Sequence, residues 1–310
     1  MSYYEQRNSN RLGIGQDGNA LTMLIAVNLI VFVLLALIKL VYFFSYGAQE
    51  GLALYQQQVL NMVTLPAHLP VFITKPWTLL THFIVHDGVW HLIANMLWMW
   101  AFGYILQDLA GNRKIVPIFI YGAFGGAVAY LLTFNLIPGL KDQLLQAKAL
   151  GASAGVMAIA IATTVMAPGY RIFPMINGGI PLWVITMVFV IIDLATIPYS
   201  NPGGHIAHLA GGGMGFLFVV QMRRGNDWSI WMNNFFDWAN NIFNPDRPKR
   251  GKSIKSQYYY KANVPPYTRT STNITQQRID DILDKINQKG YSSLTQEEKD
   301  ILSRASKDDL

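Results

Sequence analysis

Three short stretches combine chemistry-bearing side chains with small neighbours in otherwise apolar surroundings. The first is Gly151-Ala152-Ser153-Ala154-Gly155, whose small residues let a neighbouring helix and a peptide backbone approach the Ser153 hydroxyl. The second is His208-Leu209-Ala210-Gly211, running on to Gly215. Gly211 and Gly215, four apart, form a small-xxx-small face, and His208 projects on that same face. Whatever backbone packs on the two glycines therefore meets the imidazole. The third stretch carries His91 and Asn95, whose spacing puts both on one helical face. A hydroxyl becomes a nucleophile when a base takes its proton, and imidazole is suited to that near neutral pH. Acyl transfer then develops an oxyanion that needs preorganised donors. The Asn95 amide, a neutral His91 N–H and the Ser153 backbone N–H would supply three. Each stretch alone also fits a plainer account: a small-residue helix contact with Ser153 bonded to its own helix, or a buried structural histidine.

These residues need elements that bring them together, and composition says what kind. Of 310 residues, 52% are hydrophobic and 14% charged, against about 25% charged in an ordinary soluble domain. Ionisable side chains are sparse from Thr22 to Met222 and common beyond Arg223. That asymmetry reads as a membrane domain followed by a soluble tail. Crossing a bilayer takes roughly 20 apolar helical residues, and six segments qualify or nearly do, at about 22–44, 88–106, 115–136, 150–168, 180–198 and 204–222. Several are short and rich in Gly and Ala, which suits close helix packing. The first is too long for a signal-peptide core and reads as an uncleaved span. The fourth and sixth segments run in the same direction, and Ser153 and His208 each lie a few residues inside, at similar shallow depth.

Lys and Arg at the segment ends set the expected orientation. Arg7, Arg11, Arg113, Lys114, Arg171, Arg223 and Arg224 fall on one side, against Lys75, Lys141 and Lys148 on the other, so both termini are expected in the cytoplasm. The net charge of +6 comes without a basic stripe or a nucleic-acid-binding module, so no nucleic-acid partner is expected. With no cysteine, thiolate chemistry is excluded. The expected organisation is a cytoplasmic segment (1–21), a membrane domain (22–222), an interfacial amphipathic helix (223–244), a linker (245–273) and a small helical hairpin (274–310).

The long loop at 45–87 is half apolar and suggests a re-entrant element. Trp228, Trp231, Phe235, Trp238 and Ile242 recur at helical intervals, as an interfacial helix or a packing face would require. In the tail, Ile279, Ile282, Leu283 and Ile286 share a face that ends before Gly290, and Thr295 with Glu298 has capping-box spacing. Such a hairpin is more suited to docking a partner than to catalysis.

All six histidines precede residue 209. His205, one turn before His208, is the rival base; His82 and His86 have a spacing that can bind metal or simply hold loop carbonyls; His68 reads as a loop residue. Asp193, near the end of the fifth segment, is suited to pairing with a histidine or facing a water-filled cavity. There is no His-Glu-x-x-His zinc motif and no paired intramembrane aspartates.

Taken in order, His91-x3-Asn95, Gly151-x-Ser153 and Ala207-His208-x2-Gly211-x3-Gly215 resemble the rhomboid family of intramembrane serine proteases, over roughly residues 20–222. The resemblance implies an all-α, six-transmembrane-helix bundle with a short cytoplasmic helical tail. It implies Ser153 as nucleophile, His208 as general base, and an oxyanion hole from His91, Asn95 and the Ser153 backbone. It further implies a dyad without a third acid, no metal or cofactor, and substrates that are transmembrane proteins in the bacterial inner (plasma) membrane. The tail resembles a C-terminal extension of some bacterial rhomboids. This chain departs from the family at four places: Ala154 replaces the glycine after the serine, Thr78 the arginine after Trp77, Gln107 a glutamate, and Met157 an aromatic that stacks on the catalytic imidazole. Two rival functions stay open: a non-proteolytic rhomboid-like protein that binds transmembrane helices, and a small transporter or metal-binding membrane protein using His82 and His86.

Overall fold

The computed structural model describes residues 19–242, apart from 173–174 and 176–177, and residues 276–308. Arg7, Arg11 and the expected linker 245–273 lie outside the described residues. In the first unit the main helices are α1 (Ala20–Tyr46), α2 (Ala48–Tyr55), α3 (Leu69–Thr74), α4 (Val89–Ala110), α5 (Ile115–Leu136), α6 (Ser153–Met166), α7 (Leu182–Thr196), α8 (Pro202–Arg223) and α9 (Ser229–Asn240). Each of the six apolar segments of the sequence has become a helix within a few residues of its expected bounds. Among the described residues four are long and apolar enough to cross a membrane: α1, α4, α5 with the turn before it, and α8. Helices α6 and α7 are apolar but only 14 and 15 residues long.

Local chemistry sets the ends. Asn19 caps α1 by accepting from the Thr22 N–H at 3.1 Å. Helix α8 has Pro202 at its first position, and the Asn201 side chain accepts from the Gly204 N–H at 3.2 Å. Ala167-Pro168-Gly169 stops α6. Outward-facing Ile30, Val33, Leu34, Leu37 and Val41 leave one side of α1 apolar and uncovered by protein, the pattern expected of a helix whose solvent is hydrocarbon.

The bundle is organised around α6. A methyl group added at Gly211 would run into the Ala154 carbonyl, and one at Gly215 into the Ala158 carbonyl. On α5, one at Gly126 would lie 2.6 Å from the Ala154 methyl and 2.8 Å from the Ala207 carbonyl of α8, and one at Gly122 would overlap the Ala158 methyl. Helix α8 therefore lies parallel to α6 in a register that steps four residues at a time, and α5 lies antiparallel. That register sets Ser153 level with Ala210, two residues from His208, so the expectation of matched depth holds. Phe102, Phe119, Met99, Ile159 and Leu182 fill the remaining core.

The long loop is ordered into short pieces rather than left irregular. Its β1 strand (Leu65–Pro66) pairs antiparallel with β2 (Lys148–Ala149), which fastens the loop to the segment just before Ser153. A second two-stranded ribbon, β3 (Arg171–Ile172) with β4 (Ile180–Pro181), links α6 to α7.

Helix α9 is held to the start of α5. Lys114 pairs with Asp227 and donates to the Ser229 hydroxyl at 2.7 Å. The Trp231 indole donates to the Tyr121 hydroxyl at 2.6 Å, and the Trp228 ring packs on Tyr121 and Phe218. Burial alone would raise the Asp227 carboxyl, but hydrogen bonds from Lys114 and Ser229 outweigh it and hold the group below the ordinary carboxylate range. The attachment is thus at full strength at neutral pH and is lost as pH falls through that lowered value. Trp231, Phe235 and Trp238 stay exposed, so the aromatic stripe divides between anchoring the helix and facing outward.

The second unit contains α10 (Gln276–Lys289) and α11 (Gln296–Asp308). The capping box is formed in both directions, Thr295 N–H to the Glu298 carboxylate at 2.8 Å and Glu298 N–H to the Thr295 hydroxyl at 3.3 Å. Glu298 also pairs with Lys285 across the hairpin, and Ile282 and Leu294 are buried. Of the expected apolar face, the Ile279 side chain lies outside the described residues.

Because backbone contact leaves α8 no slack, Gly211→Val is expected to destabilise the protein by about 1–3 kcal/mol. Gly213→Ala, with nothing within 4 Å of the added methyl, should be neutral or slightly stabilising. Thermal unfolding in detergent micelles reads both.

Candidate active site

Helix α6 begins at Ser153 because the preceding backbone cannot continue as a helix. Gly151 has φ +114°, a conformation that disfavours any side chain, and its N–H is held by the His82 carbonyl at 2.9 Å. The Ala152 N–H donates to His86 Nε2 at 3.4 Å. The first bond within the helix runs from the Val156 N–H to the Ala152 carbonyl, at 2.9 Å. The N–H groups of Ser153, Ala154 and Gly155 thus have no carbonyl one turn back, and they form the electropositive end of α6.

His91 closes over that end from α4. Its ring lies where a Gly151 side chain would be, with Cε1 2.7 Å and Nε2 2.9 Å from the missing methyl position; the Ser153 hydroxyl is 3.8 Å from the same point. Asn95, one turn on and buried, donates to the His91 carbonyl at 2.9 Å, which leaves its second amide hydrogen for another acceptor.

Two cavities of about 260 Å³ each meet at Ser153. One is lined by His82, Tyr130, Lys148 and Asn201 as well as glycines and alanines; the other by Ala94, Trp98, Val156, Met157, Phe189 and Ile192. Ser153, His91 and His208 line both, and Asn95 lines the second. All four residues singled out by spacing therefore share one site. Among the described residues no hydrogen bond joins the Ser153 hydroxyl to the imidazole; the two share cavity walls. Hydrogen bonds of this kind are often long before substrate binds.

The rival base separates from His208 here. Both imidazoles contact Asp193 Oδ1 through Nδ1, His205 at 2.7 Å and His208 at 3.0 Å, but His205 lines neither cavity. The expectation that Asp193 pairs with a histidine holds: its side chain is 8% exposed and bonded to His208. Spacing could not assign that contact, yet a signal existed. Asp193 is the sole acidic residue between Asp142 and Asp227, and a lone carboxylate in an apolar helix calls for a partner.

Other expected roles resolve locally. His82 Nδ1 donates to the Thr78 carbonyl at 3.0 Å and so braces its own segment, whereas His86 accepts from Ala152 and holds backbone beside the serine. Among the described residues, the metal-capable cluster is Asp193, His205 and His208 rather than His82 and His86. His68 starts α3. Met157 lines the second cavity and lies along Gly212, while His208 is held through Asp193. Thr78 is fully buried and donates to the Lys75 carbonyl, and Trp77 donates to the Met62 carbonyl at 2.8 Å, so the loop is braced without a guanidinium. Gln107 donates to Asn19 and Asn112, joining the start of α1 to the end of α4 by neutral groups.

Since a side chain at Gly151 would both strain the backbone and displace His91, Gly151→Ala should destabilise the protein by about 1–3 kcal/mol. It should also slow reaction of Ser153 with a fluorophosphonate; unchanged unfolding and labelling would contradict the contact.

The tail, residues 269–308, matches a family of unknown function (DUF6576). RHOMBOID-like protein 12, mitochondrial, of Arabidopsis thaliana is 23% identical over 157 residues, 48% of this chain and 47% of that protein, so the chain spans about half the length of this curated relative. The Rhomboid domain family model matches residues 74–225, which hold every residue of the site from His82 to His208. With its several long apolar helices, the chain is a membrane protein that carries a rhomboid domain.

Proposed function

We propose that this protein is an intramembrane serine endopeptidase that hydrolyses a peptide bond in or near the transmembrane segment of other membrane proteins. The observation that carries the reading is the meeting of Ser153, His208, His91 and Asn95 at two cavities that share the start of α6. Membership of the rhomboid domain supports it.

In this reading His208 takes the Ser153 proton as the hydroxyl oxygen attacks the scissile carbonyl. The resulting oxyanion lies against the electropositive start of α6, with the Ser153 N–H, His91 and Asn95 as donors. His208 then protonates the departing amine, leaving an acyl-enzyme. Water, deprotonated by the same imidazole, hydrolyses the ester and restores the serine. No metal or cofactor enters these steps. A substrate helix must unwind first, because its carbonyls are engaged in its own hydrogen bonds. Gly near the cut makes that easier, because a glycine weakens a helix by about 1 kcal/mol relative to alanine. The segment from Pro198 to Gly204 acts as a lid, and movement of α7 admits substrate sideways; Asn201 and Gly204 at the first cavity and Phe189 and Ile192 at the second support these roles.

The reading extends to the membrane. Helices α6 and α7 complete a six-span bundle in an inner (plasma) membrane, with both termini cytoplasmic and α9 lying in the headgroup layer. The C-terminal hairpin docks a partner.

Ser153→Ala and His208→Ala are each expected to abolish cleavage of a model transmembrane substrate in proteoliposomes, a loss of at least about 100-fold. His205→Ala should cleave above the Ser153→Ala background. If the Ser153→Ala protein cleaves as well as the wild type, the protease reading fails. If the wild type does not cleave yet retains a transmembrane peptide in pull-down, the non-proteolytic reading replaces it.

A further inference from the structure

Among the described residues that line the two cavities, Asp193 is the one acidic group, and the protease reading makes no use of it. It sits on α7, buried, and its Oδ1 accepts from Nδ1 of both His208 and His205, which are one turn apart on α8. An ionised carboxylate only accepts, so each imidazole must carry its proton on Nδ1. For His208 this fixes both the tautomer and the ring plane, and it leaves Nε2 as the basic nitrogen on the ring that lines the cavities with Ser153. The His205 ring also stands edge-on to that of His208, with centroids 5.9 Å apart, so the hydrogen bond and this ring contact together hold the imidazole.

We propose that Asp193 is a positioning residue for His208, making the site an acid–histidine–serine triad in which His205 holds the same carboxylate oxygen. The proposal rests on the protease reading. Its chemistry is that of an orienting carboxylate: it keeps the base in the productive tautomer and offsets the imidazolium formed when Ser153 gives up its proton, without itself being protonated. The same three groups could instead hold a metal ion. Two points favour the hydrogen-bonded form. The contacts of 2.7 and 3.0 Å are hydrogen-bond lengths, whereas ligands on a tetrahedral zinc at about 2.0–2.1 Å would stand farther apart. Metal-bound histidines also usually anchor their second nitrogen, and among the described residues the hydrogen bond of His208 is the one through Nδ1.

The test uses the full chain in micelles, with Asp193→Asn and Asp193→Glu beside Ser153→Ala. Asp193→Asn should lower kcat for a fluorogenic transmembrane peptide at least about tenfold, leaving KM within about twofold, and slow fluorophosphonate labelling of Ser153 in parallel. Asp193→Glu should recover part of the loss. Imidazole 15N spectra, assigned with a His208→Gln protein, should find His208 protonated on Nδ1 in the wild type and shifted in Asp193→Asn. Wild-type kcat in Asp193→Asn, or His208 protonated on Nε2 in the wild type, overturns the proposal. So does activity that a chelator removes and zinc restores. If Asp193→Asn fails to fold, or if the wild type proves not to be a protease, the wild-type 15N spectrum still decides whether Asp193 sets the tautomer.

Discussion

Everything at the site depends on how closely α6 is held between α5 and α8. Lipid is as apolar as a leucine side chain, so helices in a membrane gain little from hiding apolar surface against one another; dispersion contacts and backbone proximity hold them together. Here the carbonyls and methyls of Ala154 and Ala158 fill notches left by Gly122 and Gly126 on α5 and by Gly211 and Gly215 on α8. Four glycines thereby lock two registers at once. A side chain at any of these four positions would meet the backbone or a methyl of α6, so the height of Ser153 relative to His208 is set by backbone, not by side-chain rotamers.

A second, softer constraint fixes the other wall. Gly151 holds its strained turn because His82 and His86 grip the backbone on either side and β1 pairs with β2 just upstream. His91 fits into the space the missing side chain leaves. The departures from the rhomboid pattern are absorbed by neighbours: Ala154 by Gly126, Thr78 by carbonyls of its own loop, Gln107 by two asparagines, and Met157 by Asp193 through His208.

Much of this was legible in the sequence. The glycine pair on α8 required a close partner, and the shared direction of the fourth and sixth segments named α6 as able to present Ser153 at the level of His208. Helix positions followed from apolar length, and the capping box of the tail from two residues. What could not be read was side-chain choice between close alternatives. Asp193 precedes both histidines by a short connection, and spacing does not say which ring it touches. Nor does spacing say that Gly151 makes room for His91, because that contact joins residues sixty positions apart. The loop at 45–87 looked irregular since its order comes from single turns and a two-residue pairing, each too short to leave a periodic pattern.

The register of α6 has a geometric consequence. Carried to the other end, it brings Met166 level with Arg223, so α6 and α8 finish together and the whole shortfall of the 14-residue helix lies above Ser153. Helix α8 begins eight residues above that level, about 12 Å at 1.5 Å per residue. Ser153 therefore lies below the outer ends of α5 and α8, while α4 begins only two residues before His91 and α7 ends three residues after Asp193. The step is high on one flank and low on the other, and on the proposed protease reading the low flank of α4 and α7 is the side from which a substrate enters. On that reading about four residues of extended chain, at roughly 3.3 Å each, match the height of the tall flank.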